Sequence, residues 1–522
     1  SLRVTVSDGI RRSVRLWKLG AVGGALLGDD ATAPATTSPT APVSVRPATP
    51  SPAERRSCLR VMVGACAFIS TDNVSSHDVR ILESEITTGS SAVKKYARVA
   101  CASLPRSIAD RVSRVSEPVD TAAPQQALFG DYQYEIYGRG LAGETPALPL
   151  LADDLQERAR ERMSPEAFGY VAGAAGAELT VAANRRAFER WEIVPRMLRD
   201  VAQRDLSASV LGTVMPAPVM LAPIGVQSIV HPNAELAVGR AAAAVGLPFI
   251  LSTAASSSME DVAGAVGQAS RWYQLYWPKQ RELAASFVAR AGEAGYEAIV
   301  LTLDTWMLGW RPRDLQAAYL PFLKGEGVAN YFSDPVFRAA LEKPPEEDPG
   351  PAIGHWAYQF SNPSVTWADL AWLREQTKLP IVLKGILRAD DARRALDAGV
   401  DGLIVSNHGG RQVDGSIGAL DALPPVREAV GTDFPVLFDS GIRTGADILK
   451  ALALGANAVC LGRPYVWGLA LDGQAGVEHV LRCLLAELDL TVALSGYTDV
   501  SQIGPSALMR APEPSALTPR PR

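Results

Sequence analysis

Eight short apolar runs, spaced by helix-like segments, constrain this chain more than any other feature. They span 219–223, 249–253, 273–277, 298–304, 380–385, 402–407, 435–440 and 458–463. Most begin about 22–33 residues after the one before, the spacing of a strand, a turn and a crossover helix. Between them lie segments rich in Ala, Leu, Glu and Arg, such as 390–398 and 446–454. A strand that is apolar at every position is buried on both faces, which is the condition of a parallel sheet. Eight βα units in succession predict an α/β fold that closes as a (β/α)8 barrel, a TIM barrel. An open doubly wound sheet is the alternative that the same alternation allows.

The rest of the chain bounds the reading. Residues 1–127 sustain no helical or strand period, and 31–53 consist mainly of Ala, Thr, Pro, Ser and Val. Such a segment cannot bury a core, so a disordered extension of unknown role is expected. Arg11-Arg12 ahead of the apolar 19–28 faintly resembles a secretion signal. The barrel domain is expected over 128–510, and 511–522 as a flexible tail. Ser164-Pro165-Glu166 reads as a helix start, with a hydroxyl cap, Pro in the first turn and an acid behind it. One helix is expected from there through Tyr170 toward Phe188, as part of an N-terminal helical cap.

No apolar run is long enough to cross a membrane, and a net charge of −5 gives no reason to expect nucleic acid. Cys58, Cys66, Cys101, Cys460 and Cys483 match neither a zinc pattern nor a disulfide framework. A reducing, cytoplasmic location follows as the expectation, with no metal. Cys460 reads as a small buried hydrophobe. No glycine-rich fingerprint opens a βα unit in the manner of a nicotinamide site.

Polar residues gather where the runs end: Ser252 and Thr253, Gln274 and Tyr276, Thr302 and Asp304, Lys384, Ser406-Asn407-His408, Asp439 and Arg443, Gly462 and Arg463. In a barrel all strand C-termini share one face, and active sites are built there. Between the fourth and fifth runs the spacing jumps, leaving 305–379. A Pro-, Gly- and aromatic-rich part of it, about 312–365, is expected to form a lid over that face.

The most specific segment is Ser406-Asn407-His408-Gly409-Gly410-Arg411-Gln412. It follows an apolar strand and places a proton acceptor three residues before a cation. The segment resembles the signature of the FMN-dependent α-hydroxy-acid dehydrogenase/oxidase family. The resemblance covers roughly 128–510. Within the family it leans toward the lactate 2-monooxygenase branch, through Phe129-Gly130-Asp131-Tyr132, Ala222-Pro223-Ile224-Gly225-Val226, Leu301-Thr302-Leu303-Asp304-Thr305-Trp306 and Gly309-Trp310-Arg311-Pro312-Arg313-Asp314-Leu315.

That resemblance implies FMN as cofactor, a small L-2-hydroxy acid and O2 as substrates, and a homo-oligomer of four or more copies. It makes His408 the base and Asp304 its orienting carboxylate. Arg311 and Arg411 would clamp the substrate carboxylate, helped by Tyr170 and Tyr276; a planar guanidinium suits that task because it makes two charge-assisted bonds at once. Pro223, Ile224, Gly225, Ser252, Gln274 and Thr302 correspond to flavin-ring contacts, with Ser406 beside them. Lys384 matches the lysine that stabilises negative charge on the ring. Asp439 would hold the ribityl chain, and Gly441, Arg443, Gly462 and Arg463 the phosphate. Plant glycolate oxidases carry Trp where Ala254 stands, so side-chain preference is expected to differ. Gly225 stands where oxygen-shy relatives carry Ala, and the missing methyl suggests room for O2.

Three outcomes fit these residues. The expected one is retention of the 2-oxo acid, which gives lactate 2-monooxygenase chemistry, L-lactate plus O2 yielding acetate, CO2 and water. Its release would give an oxidase forming H2O2. From another class, an FMN-barrel isomerase would share the phosphate end but has no use for His408, Arg311 and Arg411.

Overall fold

The structure is a computed structural model that describes residues 128–512. The expectations for the extension, its secretion-like segment, three of the cysteines and most of the tail fall outside those residues. All eight runs are parallel strands: β1 (Val219–Leu221), β2 (Phe249–Ser252), β3 (Arg271–Leu275), β4 (Ile299–Thr302), β5 (Ile381–Ile386), β6 (Gly402–Val405), β7 (Val436–Phe438) and β8 (Ala458–Leu461). They follow in sequence order and close, β8 pairing with β1 through Val459–Val219 and Cys460–Met220. The closed barrel is therefore the fold, and the open sheet is excluded.

Period-two pleating sorts each strand. One set of side chains fills the barrel: Met220, Ile250, Trp272, Val300, Val382, Ile404, Leu437 and Cys460. The alternate set, including Leu221, Leu251, Leu301 and Leu403, packs outward against the helices. A hairpin of Ala208–Val210 and Thr213–Met215 seals the N-terminal end. Its Val210 and Met215 join the inner cluster, and Thr213 accepts a hydrogen bond from the Trp272 indole at 2.8 Å. A further antiparallel pair, Trp191–Ile193 with Leu508–Arg510, ties the start of the domain to its end.

Ser164 caps the helix Pro165–Ala172 as expected, its hydroxyl accepting from the Ala167 amide at 3.2 Å. The helix does not run on to Phe188. It stops at Gly173, and a second helix, Leu179–Glu189, starts beyond a short loop. A Cβ at Gly173 would meet the Gly169 carbonyl at 2.5 Å, so the chain turns where only glycine fits. Asp414 caps the new helix through the amides of Ala177 and Thr180.

The long β4–β5 segment is mostly short helices, among them Pro312–Gln316, Pro335–Ala339, Pro349–Phe360 and Asp369–Gln376. Pro opens three of these at the first helical position, where its missing N–H costs nothing. The segment packs through its aromatics: Phe322 stacks on Trp356 at 4.6 Å, and Trp356 meets Phe360 at 5.1 Å. Among the described residues, no helix is long and apolar enough to cross a membrane.

Candidate active site

The barrel interior dictates the site. Two residues beyond each inward apolar side chain, the pleat brings the next inward position to the C-terminal rim. Those positions are Ala222, Ser252, Gln274, Thr302, Lys384, Ser406, Asp439 and Gly462. The register that fills the barrel thus also builds a mostly polar ring on its top. Ser252 donates to Gln274 at 2.9 Å, and Lys384 donates to Ser406 at 3.0 Å and pairs with Asp439 at 3.3 Å. Burial works against the Lys384 charge, but Asp439 and Asp304 outweigh it and keep the ammonium charged.

Above the ring lies a cavity with about 1010 Å³ of empty space, its open mouth included. Most of the residues singled out from sequence line it: Tyr170, Pro223, Ile224, Gly225, Tyr276, Arg311, Lys384, His408, Arg411, Asp439, Gly441, Arg443, Gly462 and Arg463. Ser252, Gln274, Thr302 and Ser406 do not line it but are buried in the ring below. Asp304 stands behind His408.

His408 sits in left-handed backbone, φ 58°, an arrangement that costs a non-glycine residue roughly 1–2 kcal/mol. Side chains hold it there. Ser406 Oγ accepts from the His408 amide at 3.0 Å, and Ser440 Oγ accepts from the Gly409 amide at 3.0 Å. Asn407 exchanges two hydrogen bonds with Asn184, at 2.6 and 2.8 Å. His408 Nδ1 lies 2.7 Å from Asp304 Oδ1. Burial pushes the Asp304 carboxyl up, but the charges of His408 and Lys384 more than offset this and hold it at about 2. As an ionised acceptor it fixes the proton on Nδ1, which leaves the Nε2 lone pair free. Burial lowers the His408 pKa below the usual histidine range despite Asp304, so the ring is neutral near pH 7.

Four arginines share the cavity, and among the described residues none forms an ion pair with a carboxylate. Arg411 donates to the carbonyls of Tyr170 and, at 2.7 Å, Gly173, and lies over the Tyr170 ring at 4.9 Å. Arg463 donates to Val171 O at 3.0 Å and Gly173 O at 3.2 Å. These carbonyls end the broken helix, where the backbone dipole favours cations. Burial, then mutual repulsion, lowers the pKa of Arg411 to about 10 and that of Arg463 well below the usual guanidinium value. Arg443 also falls to about 10, from burial and the nearby Arg185. Cations gathered under such strain mark an anion site. A second sign is Gln274 Nε2, a buried donor with no partner, which asks for an acceptor from a ligand.

Sequence reading missed several residues. Gln412 accepts from Arg311 at 2.6 Å and donates to the carbonyls of Asp304 and Met307 at 2.7 and 2.9 Å, so one side chain fixes the whole β4 exit. Its place in the histidine motif was the available signal. Thr305 hydrogen-bonds both His408 and Asp304 at 3.1 Å. Leu308, Phe322 and Phe360 were missed as well; with Ala254, singled out from sequence, they form an apolar side of the cavity. The argument from Gly225 needs correction: its missing Cβ would point at the Ala254 carbonyl, 2.4 Å away, and not into open space. Glycine there reflects the close approach of the β1 and β2 ends, and says nothing about room for O2.

Comparison with known proteins agrees with this geometry. Residues 159–510 match the FMN-dependent dehydrogenase family profile. An FMN-dependent alpha-hydroxy acid dehydrogenase of Penicillium citrinum is 45% identical over 393 residues, covering 74% of this chain and 98% of that protein. An L-lactate oxidase of Lysinibacillus sphaericus is 44% identical, over 71% of this chain and 95% of that one. Human 2-hydroxyacid oxidase 1 is 43% identical, over 70% and 97%. A crystal structure of mandelate oxidase superposes with a TM-score of 0.62 at 38% identity, over 70% of this chain and 98% of that one.

Proposed function

The chain belongs to the FMN-dependent α-hydroxy-acid dehydrogenase family, and on that premise we propose that it oxidises a small L-2-hydroxy acid to the 2-oxo acid, with O2 as acceptor and H2O2 released. The observation that carries this reading is His408, its Nδ1 bonded to Asp304, facing a cavity where Arg311 and Arg411 have no carboxylate of their own. An isomerase would not need that set.

Bound FMN supplies the two-electron acceptor that side chains lack. The chain's own residues do the rest. Arg311 and Arg411 bind the substrate carboxylate, and the hydroxyls of Tyr170 and Tyr276 complete the clamp. Burial raises the Tyr276 hydroxyl to about 12, so it stays a donor. His408 Nε2 takes the proton of the substrate hydroxyl as the C–H bond breaks, and Asp304 stabilises the imidazolium that forms. Lys384, which lines the same cavity, would stabilise negative charge on the bound flavin. Ala254, Leu308, Phe322 and Phe360 take the substrate side chain, the last three brought by the β4–β5 segment acting as a lid. At the other end Arg443 and Arg463, with the backbone at Gly441 and Gly462, hold the phosphate.

Arg443→Gln is expected to weaken retention of FMN. Losing one buried charge-assisted contact costs about 2–5 kcal/mol. The flavin-to-protein absorbance ratio after gel filtration should fall well below that of the wild type, and an unchanged ratio would place the phosphate elsewhere.

Release of the 2-oxo acid rather than its retention finds support in relatives named oxidases. Aerobic turnover of L-lactate with products quantified tests it. Pyruvate and H2O2 in equal amounts are expected. Acetate and CO2 without free peroxide would instead establish the monooxygenase outcome with the same residues.

A further inference from the structure

The wall 222–225 has a second layer behind it that the reaction does not use directly. Tyr465 OH donates to the Ala222 carbonyl at 2.8 Å, and Gln227 Nε2 donates to the Ile224 carbonyl at 3.2 Å. Ile224 and Gly225 both line the cavity, so the peptide whose carbonyl Gln227 holds is part of the cavity wall. Behind Gln227 lies Glu235, fully buried in the first turn of the helix Ala234–Ala244. Its Oε2 accepts from the Ser256 amide at 3.2 Å. Ser256 Oγ donates to Ser228 Oγ at 2.7 Å, and Ser228 in turn donates to Glu326 on the β4–β5 segment. Tyr465 stands two residues after Arg463, so the same layer also fixes the start of the C-terminal helix against the wall.

Two buried atoms in this layer lack a partner, and both are acceptors: Gln227 Oε1 and Glu235 Oε1. A layer short of donors is completed by a proton. Among the described residues no cation pairs with Glu235. The groups that face it are Tyr465 and, through the two serines, Glu326. Other titratable groups on or beside the elements packed against it include His231 and Arg240, Glu260 and Asp261 on the helix Met259–Val266, and Arg463, Asp472, Glu478, His479, Arg482, Glu487 and Asp489 on the C-terminal helix Arg463–Leu494. None makes an ion pair with it. Backbone amides, those of Gln227, Ser256 and Ser257 among them, favour the ionised carboxylate, but burial without a cation outweighs them and favours the neutral acid.

We propose that Glu235 is a positioning residue that holds the wall 222–225 against FMN through Gln227 and Tyr465, and that it does so as the neutral acid. It rests on the cavity being the flavin site and not on the identity of the hydroxy acid. Burial lifts its carboxyl from 4.5 to about 7. The contribution of a group raised in this way is complete only below its ordinary 4.5, falls between the two values, and is gone once pH has risen through about 7.

The test measures FMN affinity of the protein, by flavin fluorescence on dilution of the holoenzyme, between about pH 6 and pH 9, bracketing that value. In the wild type the dissociation constant is expected to rise about tenfold across this range, one pKa unit of differential protonation. Glu235→Gln, which supplies donors but cannot ionise, should match the wild type at the acid end and stay flat. A wild-type constant that does not rise with pH overturns the proposal without any variant. So does a Gln variant that keeps the pH dependence, or one that folds and binds FMN poorly throughout. Turnover at the acid end should be alike in both proteins, which separates failure here from failure of the proposed reaction.

Discussion

His408→Gln should lose turnover by about 10²–10⁴-fold, the contribution of a positioned general base, while keeping its yellow colour. The reasoning is local. Asp304 accepts at Nδ1 and so leaves Nε2 as the only ring atom able to take a proton in the cavity. An amide in that place can hydrogen-bond but cannot carry the charge. FMN retention should survive, because the phosphate end and the ring residues are untouched. In the wild type the acid limb of kcat/KM should lie below the usual histidine range, since burial lowers the His408 pKa despite Asp304. Activity is present above that value and is lost as pH falls through it. A variant with wild-type turnover, or a limb above the ordinary histidine value, would remove His408 from the mechanism.

Arg411→Met should cost almost as much, by a different route. Its guanidinium is buried, has no carboxylate partner, and shares the cavity with Arg311. Removing one buried charge-assisted partner costs about 2–5 kcal/mol, so kcat/KM should fall between about thirtyfold and several thousandfold. The loss should appear mainly in KM if the clamp only binds the carboxylate, and in kcat as well if it also aligns the C–H bond. Arg411 also holds the carbonyls of Tyr170 and Gly173, so thermal unfolding must be read beside the kinetics. Full activity toward the hydroxy acid would mean that Arg311 alone, or another group, binds the carboxylate.

Much of the barrel was legible because parallel strands are buried on both faces and read as unbroken apolar runs. The polar ring was legible too, since a residue at a strand end has few structural reasons to be Lys, Gln or Asp. Other parts were hidden for physical reasons. The hairpin at 208–215 has strands of three residues, too short for a period to show. The helix Pro349–Phe360 begins Pro-Gly-Pro, which reads as loop although the first turn tolerates it. The break at Gly173 depends on Arg313 and on two distant arginines that take its carbonyl. Gly225 was read as a gap and proved to be a close approach. Glu235 was invisible as a buried acid, because a glutamate in a first helical turn ordinarily faces water and complements the dipole.

The helical content of the β4–β5 segment refines the expectation of a lid. Phe322 and Phe360 enter the cavity from it while Trp356 packs between them and the segment's core. A segment stitched by stacked aromatics moves as a body if it moves at all, and its link to the wall runs through Glu326 and Ser228.

The most direct single measurement is anaerobic mixing of the purified holoenzyme with an L-2-hydroxy acid, following the visible flavin band. The wild type should bleach on mixing and regain its colour with air, and His408→Gln should hold its colour on the same timescale. Equal bleaching of both proteins, or a wild type that keeps its colour with every hydroxy acid offered, would contradict the assignment of this cavity to hydroxy-acid oxidation.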